Sequence, residues 1–451
     1  MQKHITRILL AVGLSVITAN AQNTANIRIE FSGYTGAGIT ETLYNFPALV
    51  KLSNGIGGST FSFGGFPFAD PNGYDLRFYD EENNLLDHEI DLWDTSDTSY
   101  IWVKVPEIKP DGSSFITAAW GDVNNTEQLP CTTNGAVWAD GYRLVQHYTD
   151  FNLAGSDFMV ADSTSAKTPA RLVNASGIPV DSIIGKAVDL TQTARTSGIQ
   201  VITPIPSGTA ASGWTVSSWF KGLRPTGDYR TLTRSSGSHH HILVENNSGR
   251  LGSWLGSFNP AGSATLVSDN TAPFTPVWRH IMVAGTNNTT TFYIDGEQVG
   301  VIAGQSTENI QGIGFHYSNG SPSQQFADYL DEFRVAGTAR PANWAWAEFM
   351  NQGSNTVFAT YSNPSGEGTP FPENSGVESI EPEGAVFTCH IISNGATYAL
   401  TPDDTCVYLA FSDEKMEDGD WIQADGFVSF SAIQDGNDPE IFVATDRKSV
   451  V

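Results

Sequence analysis

The chain has 451 residues, with 49 acidic and 23 basic side chains, which gives a formal net charge of −26. This excess of negative charge argues against nucleic acid as a partner, because phosphate binding requires a basic surface. The 44 glycines, 22 prolines and 11% aromatic residues predict a turn-rich, all-β protein, and the length predicts two or three domains.

The N-terminus has the pattern of a secretory signal peptide. Lys3 and Arg7 precede an apolar run over residues 8–17, and small residues follow up to Ala21. We expect cleavage after Ala21, which makes residues 1–21 the signal peptide. The run is too short to span a bilayer, and no later segment is long and apolar enough to do so. The mature protein is therefore expected to be secreted, periplasmic or attached to the cell surface.

Residues 22–125 are predicted to form a small β domain. In residues 100–105, Ile101, Val103 and Val105 alternate with bulkier or polar side chains, which is the period-two pattern of a half-buried strand. The candidate strands are residues 43–52, 75–79, 100–105 and 115–120.

Four short sequence motifs of this domain, which we call words, resemble the domain of unknown function 2341. They are Asn45–Val50, Gly73–Phe78, His88–Asp94 and Ser99–Pro106. In bacterial surface and secreted proteins this domain lies beside lectin-like sandwiches. The resemblance therefore implies an extracellular β module of bacterial origin, without established chemistry.

Residues 142–360 contain a second ordered set of words. They are Asp162–Thr164, Gly185–Ala187, Trp214–Phe220, Trp278–Ile281, Phe292–Gly296 and Leu330–Val335. In this order they resemble the laminin-G-like jelly roll of the concanavalin A-like lectin/glucanase superfamily. The resemblance implies an antiparallel β-sandwich outside the cell. We expect it to bind an extracellular glycan or surface polysaccharide, for recognition or adhesion without catalysis.

The C-terminal part is predicted to contain a linker over residues 361–383 and a β-rich tail over 384–451. Cys389 and Cys406 flank a predicted hairpin and are expected either to form a disulfide or to stay buried thiols. Cys131 is then left without a partner.

One word supports a different function. Glu89, Asp91 and Asp94 resemble the Glu-x-Asp-x-x-Glu word of family-16 glycoside hydrolases, in which the outer carboxylates lie about 5 Å apart. This word lies on a strand, and alternation places its first and third residues, Glu89 and Asp91, on one face. Asp94 is one methylene shorter than the expected glutamate, and the resemblance to the domain of unknown function explains the word without catalysis. An extracellular glycan hydrolase or lyase stays an alternative, as does a structural surface module without glycan affinity.

The resemblance to lectin-like sandwiches also implies a structural Ca²⁺ ion, which takes six to eight oxygen ligands. Asp162 and Asp331 lie in the words near the two ends of the domain and are the candidate ligands. The alternative is that Asp162 caps a turn and Asp331 accepts a backbone hydrogen bond.

Sugar binding combines aromatic faces, which stack on C–H groups, with polar side chains that bind hydroxyls. Trp254 lies between two nearby glycines, which indicates exposure. The triplet His239–His241 is expected to lie in a solvated loop or edge. The candidate ligand-binding residues are Tyr229, Trp254, His316, Tyr317 and Asn319, and for each the alternative is a core or plain surface position.

Overall fold

The computed structural model describes residues 25–224, 227–266, 276–318 and 321–365, and the backbone of 377–381 and 384–387. The expected signal peptide, Asn319 and the Cys389–Cys406 pair lie outside the described residues. Among the described residues, no helix is both long enough and apolar enough to cross a bilayer.

The first six strands form most of an N-terminal module. They are β1 (Ala25–Glu30), β2 (Leu43–Ser53), β3 (Arg77–Tyr79), β4 (His88–Leu92), β5 (Thr98–Ile108) and β6 (Phe115–Trp120). A 3₁₀ turn, Ile56–Gly58, follows β2. A connection with the short helix α1 (Cys131–Asn134) and a 3₁₀ turn over Ala136–Trp138 leads out of the module. All four predicted strands are confirmed.

Nineteen strands follow and form the sandwich. They are β7 (Tyr142–Gln146), β8 (Phe151–Ala154), β9 (Asp157–Val160), β10 (Ala170–Val173), β11 (Pro179–Asp181), β12 (Lys186–Asp189), β13 (Gly198–Ile205), β14 (Trp214–Leu223), β15 (Arg230–Ser235), β16 (His240–Val244), β17 (Arg250–Trp254), β18 (Phe258–Thr265), β19 (Arg279–Thr286), β20 (Thr289–Ile294), β21 (Glu297–Ala303), β22 (Ile310–Ile313), β23 (His316–Ser318), β24 (Ser321–Ser323) and β25 (Ala327–Ala336).

The chain then forms helices α2 (Ala342–Gly353) and α3 (Asn355–Phe358) and the short strand β26 (Thr360–Tyr361). Residues 25–365 belong to one compact unit. Outside that unit, β27 (Val377–Glu381) and β28 (Gly384–Phe387) pair as an antiparallel hairpin.

All sheets of residues 25–365 are built from antiparallel pairs. In the N-terminal module, one sheet has the order β26-β1-β6-β3 and the other β2-β5-β4. The sandwich has a nine-stranded sheet, β18-β17-β16-β15-β22-β13-β10-β9-β8, and an eight-stranded sheet, β11-β12-β25-β14-β19-β20-β21, in which β7 also pairs with β25. The prediction of an all-β, antiparallel sandwich fold is confirmed.

Alternation in β14 divides its side chains between two cores. Trp214, Val216 and Phe220 lie in the core between the two sandwich sheets. Trp219 points to the opposite side and packs with Trp102 of β5. Both are fully buried. The predicted inner face of β5, with Ile101, Val103 and Val105, is buried. On its second face Trp102 is also buried, while Tyr100 and Lys104 stay partly exposed.

Helix α2 joins the two parts of the unit. Its residues Trp344 and Ala347 lie in the core of the N-terminal module, and Phe349 lies 5.7 Å from Trp219 between ring centroids. Asn351 of the helix accepts a hydrogen bond from Leu49 N at 2.6 Å and donates one to Leu49 O at 3.1 Å. The helix thus satisfies backbone groups of β2 as a neighbouring strand would.

Candidate functional site

The outer face of the nine-stranded sheet is the first candidate site. Apolar side chains that pack on the N-terminal module come from the opposite sheet, for example Trp219, Met282 and Tyr293. On β17, Leu251 points into the sandwich core, so alternation places Trp254 on the outer face. Trp254 pairs directly with His240 of β16. The outer face therefore presents an aromatic strip beside a histidine.

Two aromatic residues predicted to bind sugar meet on this face. The rings of Tyr229 and Trp254 lie 6.0 Å apart between centroids, at an interplanar angle of 83°. Both side chains are partly exposed. This edge-to-face pair holds the indole in place while leaving apolar ring surface accessible to a ligand.

Beside this pair, His316 stacks on His240 at 5.2 Å with an interplanar angle of 21°. We name Tyr229, Trp254, His240 and His316 the outer-face patch. Burial and the charge of nearby Arg234 lower the pKa of His240 to about 3, and the same causes lower the pKa of His316. Both imidazoles are therefore neutral at physiological pH.

The hydrogen bonds of the two histidines assign their tautomers. The Thr231 hydroxyl donates to Gln324 Oε1 at 2.9 Å, so it accepts from Nδ1 of His240, also at 2.9 Å. This leaves Nε2 of His240 as an acceptor. Nδ1 of His316 accepts from Nε of Arg234 at 3.2 Å, so Nε2 of His316 carries the hydrogen. One acceptor and one donor thus lie on adjacent stacked rings.

Tyr317, another predicted ligand-binding residue, lies next to His316 on β23 and packs against Phe315 at 5.5 Å. Arg171 interacts with the Tyr317 hydroxyl and forms an ion pair with Asp157 at 2.7 Å. The structure thus brings Tyr229, Trp254 and His316 into one patch, with Tyr317 at its side.

The histidine triplet differs from expectation. His240 and His241 are buried in the middle of the sheet, and His241 lies against Trp214 in the core at 5.1 Å. The two side chains point to opposite faces of the sheet, as adjacent residues of a strand do, with His241 on Trp214 and His240 on His316. His239 is partly exposed, 3.9 Å from Glu308.

The two predicted calcium ligands lie in separate hydrogen-bond groups. Asp162 accepts bonds from the backbone N–H groups of Val145, Thr164 and Thr168. Asp331 accepts bonds from Ser182 Oγ at 2.6 Å and from the N–H of Ile184 at 3.3 Å. Asp162 therefore organises the backbone around its turn, and the role of either residue toward calcium stays a prediction.

A second polar site lies buried between the N-terminal module and the sandwich. Glu89 and Asp91 of β4 face His147, as period-two alternation predicts, with His147–carboxylate distances of 3.9 and 4.0 Å. Glu332 and Arg334 of β25 complete what we name the junction cluster. Nδ1 of His147 lies 2.8 Å from Glu332, and Arg334 donates to Glu332 at 2.7 Å.

Indole rings surround this cluster. Trp138 Nε1 donates to Glu89, and Ser163 Oγ donates to the same carboxylate at 2.6 Å. The guanidinium of Arg334 lies over the rings of Trp102 and Trp138, at 4.1 and 4.8 Å from their centroids. His147, Glu332 and Arg334 were not predicted from the sequence, although Glu332 directly follows Asp331, a predicted calcium ligand.

A β-bulge in β25 explains why Glu332 reaches the junction. Trp219 pairs with Asp331 and Ser217 with Arg334, so two residues of β25 lie opposite Ser218. Glu332 has φ 50°, in the left-handed region. The bulge places both Asp331 and Glu332 on the face toward the N-terminal module, while Leu330 and Phe333 stay in the sandwich core.

Comparison with family models agrees with this architecture. Residues 195–344 match the concanavalin A-like lectin/glucanases superfamily. The sandwich is a concanavalin A-like domain. The lectin-like domain follows a match to the domain of unknown function DUF2341 over residues 72–158. The junction cluster therefore joins residues of two recognised domains. No protein of curated function matches the chain.

The chain is similar to parts of several solved structures, at low identity and low TM-score. A Trypanosoma rangeli sialidase in complex with sialic acid has a TM-score of 0.33 and 8% identity, covering 60% of this chain and 44% of that one. Domain 4 of the arabinanase AbnA from Geobacillus stearothermophilus, in complex with arabinotriose, has a TM-score of 0.30 and 16% identity, covering 46% of this chain and 97% of that one. The botulinum neurotoxin serotype D binding domain has a TM-score of 0.31 and 11% identity, covering 47% of this chain and 52% of that one. The chain spans less than half of the sialidase, and scores this low carry no argument about function.

Proposed function

We propose that the protein is a secreted or surface-exposed bacterial protein that binds extracellular glycans without catalysis, through the outer-face patch of its lectin-like domain. The observation that carries the proposal is the grouping of the partly exposed Trp254 and Tyr229 with two neutral histidines, one a hydrogen-bond acceptor and one a donor, on the outer face of the sheet. The superfamily match to lectins and glucanases supports a carbohydrate-related function.

The chemistry of the patch suits a neutral sugar. The indole of Trp254 offers an apolar face for the C–H groups of a pyranose ring. Nε2 of His240 can accept a hydrogen bond from one hydroxyl, and Nε2–H of His316 can donate one to its neighbour. A stacked acceptor–donor pair fits two adjacent hydroxyls, as in a vicinal diol. Because neither imidazole is charged, the patch offers no ion pair to an anionic sugar.

The environments of Glu89 and Asp94, the outer carboxylates of the word at residues 89–94, do not favour the hydrolase alternative. Glu89 is mostly buried, with 14% of its side chain exposed, and accepts hydrogen bonds from Trp138 and Ser163. Asp94 is instead partly exposed and accepts hydrogen bonds from Ser96. A retaining glycosidase needs its two carboxyl groups about 5 Å apart around a bound sugar. The burial of Glu89 supports a binding protein over an enzyme.

A glycan array with residues 22–451 tests the proposal. It is run in Ca²⁺ and again in chelator, because calcium at Asp162 and Asp331 stays part of the proposal. We expect binding of neutral glycans that Trp254→Ala weakens about tenfold or more. Tyr44→Ala is the matched control, since this tyrosine of the N-terminal module is 61% exposed.

Each outcome has a defined meaning. Binding that disappears in chelator supports a calcium-dependent lectin, and binding that persists removes calcium from the proposal. Binding that is equal in Trp254→Ala and Tyr44→Ala places the ligand elsewhere on the chain. No binding to any glycan in either buffer overturns the proposal and favours a structural surface module.

A further inference from the structure

Three donor side chains of the junction cluster converge on one point. One donor atom each from Asp91, His147 and Glu332 lies within 4.8 Å of the other two. Nδ1 of His147 is 2.8 and 2.9 Å from the two Glu332 oxygens and 4.0 Å from Asp91 Oδ2. Ligands about 2.0–2.2 Å from a common metal lie roughly 3 to 3.5 Å from each other. The three groups thus need only small side-chain movements to share an ion.

An unpartnered oxygen points into this space. The side chain of Asp91 is only 2% exposed, and its Oδ2 has no hydrogen-bond donor. The Thr149 hydroxyl donates to the other oxygen, Oδ1, and so fixes the orientation of the carboxylate. A buried carboxylate oxygen without a donor is costly. A cation at Oδ2 would remove that cost.

The neighbours of the three groups have the arrangement of an outer ligand shell. Nε2 of His147 faces the Glu89 carboxylate at 3.9 Å, beyond hydrogen-bond range, and has no hydrogen-bond partner. Arg334 donates to Oε2 of Glu332, which leaves Oε1 for a ligand role. Histidine ligands commonly present their second ring nitrogen to a carboxylate, which orients the ring and raises its basicity.

We propose that Asp91, His147 and Glu332 bind a divalent transition-metal ion of the Zn²⁺ class at the junction between the DUF2341 region and the lectin-like domain. An imidazole with two carboxylates suits zinc, whereas Ca²⁺ and Mg²⁺ prefer all-oxygen sites. The site differs from the calcium expected at Asp162 and Asp331, and it does not depend on the glycan proposal.

The ion would connect two domains. Asp91 lies on β4 of the N-terminal module, while Glu332 lies on β25 and His147 directly after β7 of the sandwich. Binding requires all three groups in their native places, so the ion binds the folded chain and stabilises it. Zinc is therefore expected to raise the melting temperature of the chain.

The test uses residues 22–451, treated with chelator, incubated with ZnCl₂ and freed of excess metal by gel filtration. Bound zinc is counted by plasma mass spectrometry. Asp91→Asn removes a ligand charge with little change in shape, and His147→Gln removes the nitrogen ligand. His239→Gln is the matched control, because His239 also lies 3.9 Å from a carboxylate, that of Glu308, but outside the junction.

We expect one zinc ion per chain in the wild type and His239→Gln, and a loss of that ion in Asp91→Asn and His147→Gln. CaCl₂ in place of ZnCl₂ is expected to give no such ion. Absence of zinc from the folded wild type overturns the proposal, as does zinc content that Asp91→Asn and His147→Gln leave unchanged.

A further variant keeps the test decisive if a ligand variant does not fold. Thr149→Val keeps all three ligands and removes only the hydrogen bond that orients Asp91. We expect about tenfold weaker zinc binding, the usual effect of losing an outer-shell partner. Unchanged affinity in folded Thr149→Val, measured by competition with a chromogenic chelator, contradicts the proposed geometry.

Discussion

His147 and Glu332, 185 residues apart in the sequence, form a buried pair at the junction of the two domains, with Nδ1 2.8 Å from the carboxylate. Burial alone would lower the pKa of His147, but the charges of Glu332 and Asp91 raise it well above its ordinary value. Without a bound ion, the imidazole therefore carries a positive charge that offsets these carboxylates.

His147→Gln is expected to destabilise the chain by about 3–5 kcal/mol in chelator, because it leaves Asp91 buried without a cation and Glu332 with Arg334 as its remaining cation. The free energy of unfolding from guanidinium titration measures this loss. The control His239→Gln removes a partly exposed histidine and is expected to cost less than about 1 kcal/mol. Equal effects of the two variants would contradict the role assigned to the buried pair.

Asn351→Leu is expected to cost about 1–3 kcal/mol. The substitution roughly keeps the side-chain shape but leaves Leu49 N buried without a partner, while Leu49 O keeps a hydrogen bond from Asn355 at 2.8 Å. Urea denaturation measures the change. Asn363→Leu is the control, because Asn363 accepts a bond from Thr60 N at an exposed position where water can replace it. A neutral Asn351→Leu would show that helix α2 does not depend on these hydrogen bonds.

The stability of the N-terminal module is expected to fall between pH 6.5 and pH 4. Burial lowers the pKa of His88 to about 4, and the side chain is 1% exposed against Phe78. The unfolded chain takes up a proton below about pH 6.5, whereas folded His88 stays neutral until about pH 4. Protonation therefore favours unfolding in that interval, by about 2 kcal/mol at pH 5.

His88→Phe isolates this contribution, since it fills the site with an aromatic ring that cannot titrate. We compare the free energies of unfolding at pH 7.5 and pH 5 for both proteins. The decrease is expected to be smaller in His88→Phe by about 2 kcal/mol. The same decrease in both proteins would assign the acid sensitivity to other groups.

Glycan binding at the outer-face patch is expected to change less than about twofold between pH 7.5 and pH 5. A histidine of ordinary pKa would become charged in this range. The pKa of His240, about 3, lies below it, and the pKa of His316 is also lowered. Affinities measured by titration calorimetry at both pH values check this. A large loss with a midpoint near pH 6 would mean that a charged histidine faces the ligand.

The sequence by itself predicted four strands of the N-terminal module and the order of the domains, and it singled out Tyr229, Trp254 and His316, which the structure brings together. These features depend on local patterns: alternation in β5 and β14 separates inner from outer side chains within one strand, and turn residues mark strand ends. Alternation also predicted that Glu89 and Asp91 share a face. The family words fixed the order of the DUF2341 and lectin-like regions.

Only the tertiary structure decided which partners these faces meet. Strict alternation would place Asp331 and Glu332 on opposite sides of β25, but the bulge at Glu332 turns both toward the N-terminal module. His147 approaches Glu332 because β7 pairs with β25, a pairing between distant segments that no local pattern encodes. Period-two patterns assign a side chain to a face, whereas the junction cluster depends on strand register and on how two domains pack.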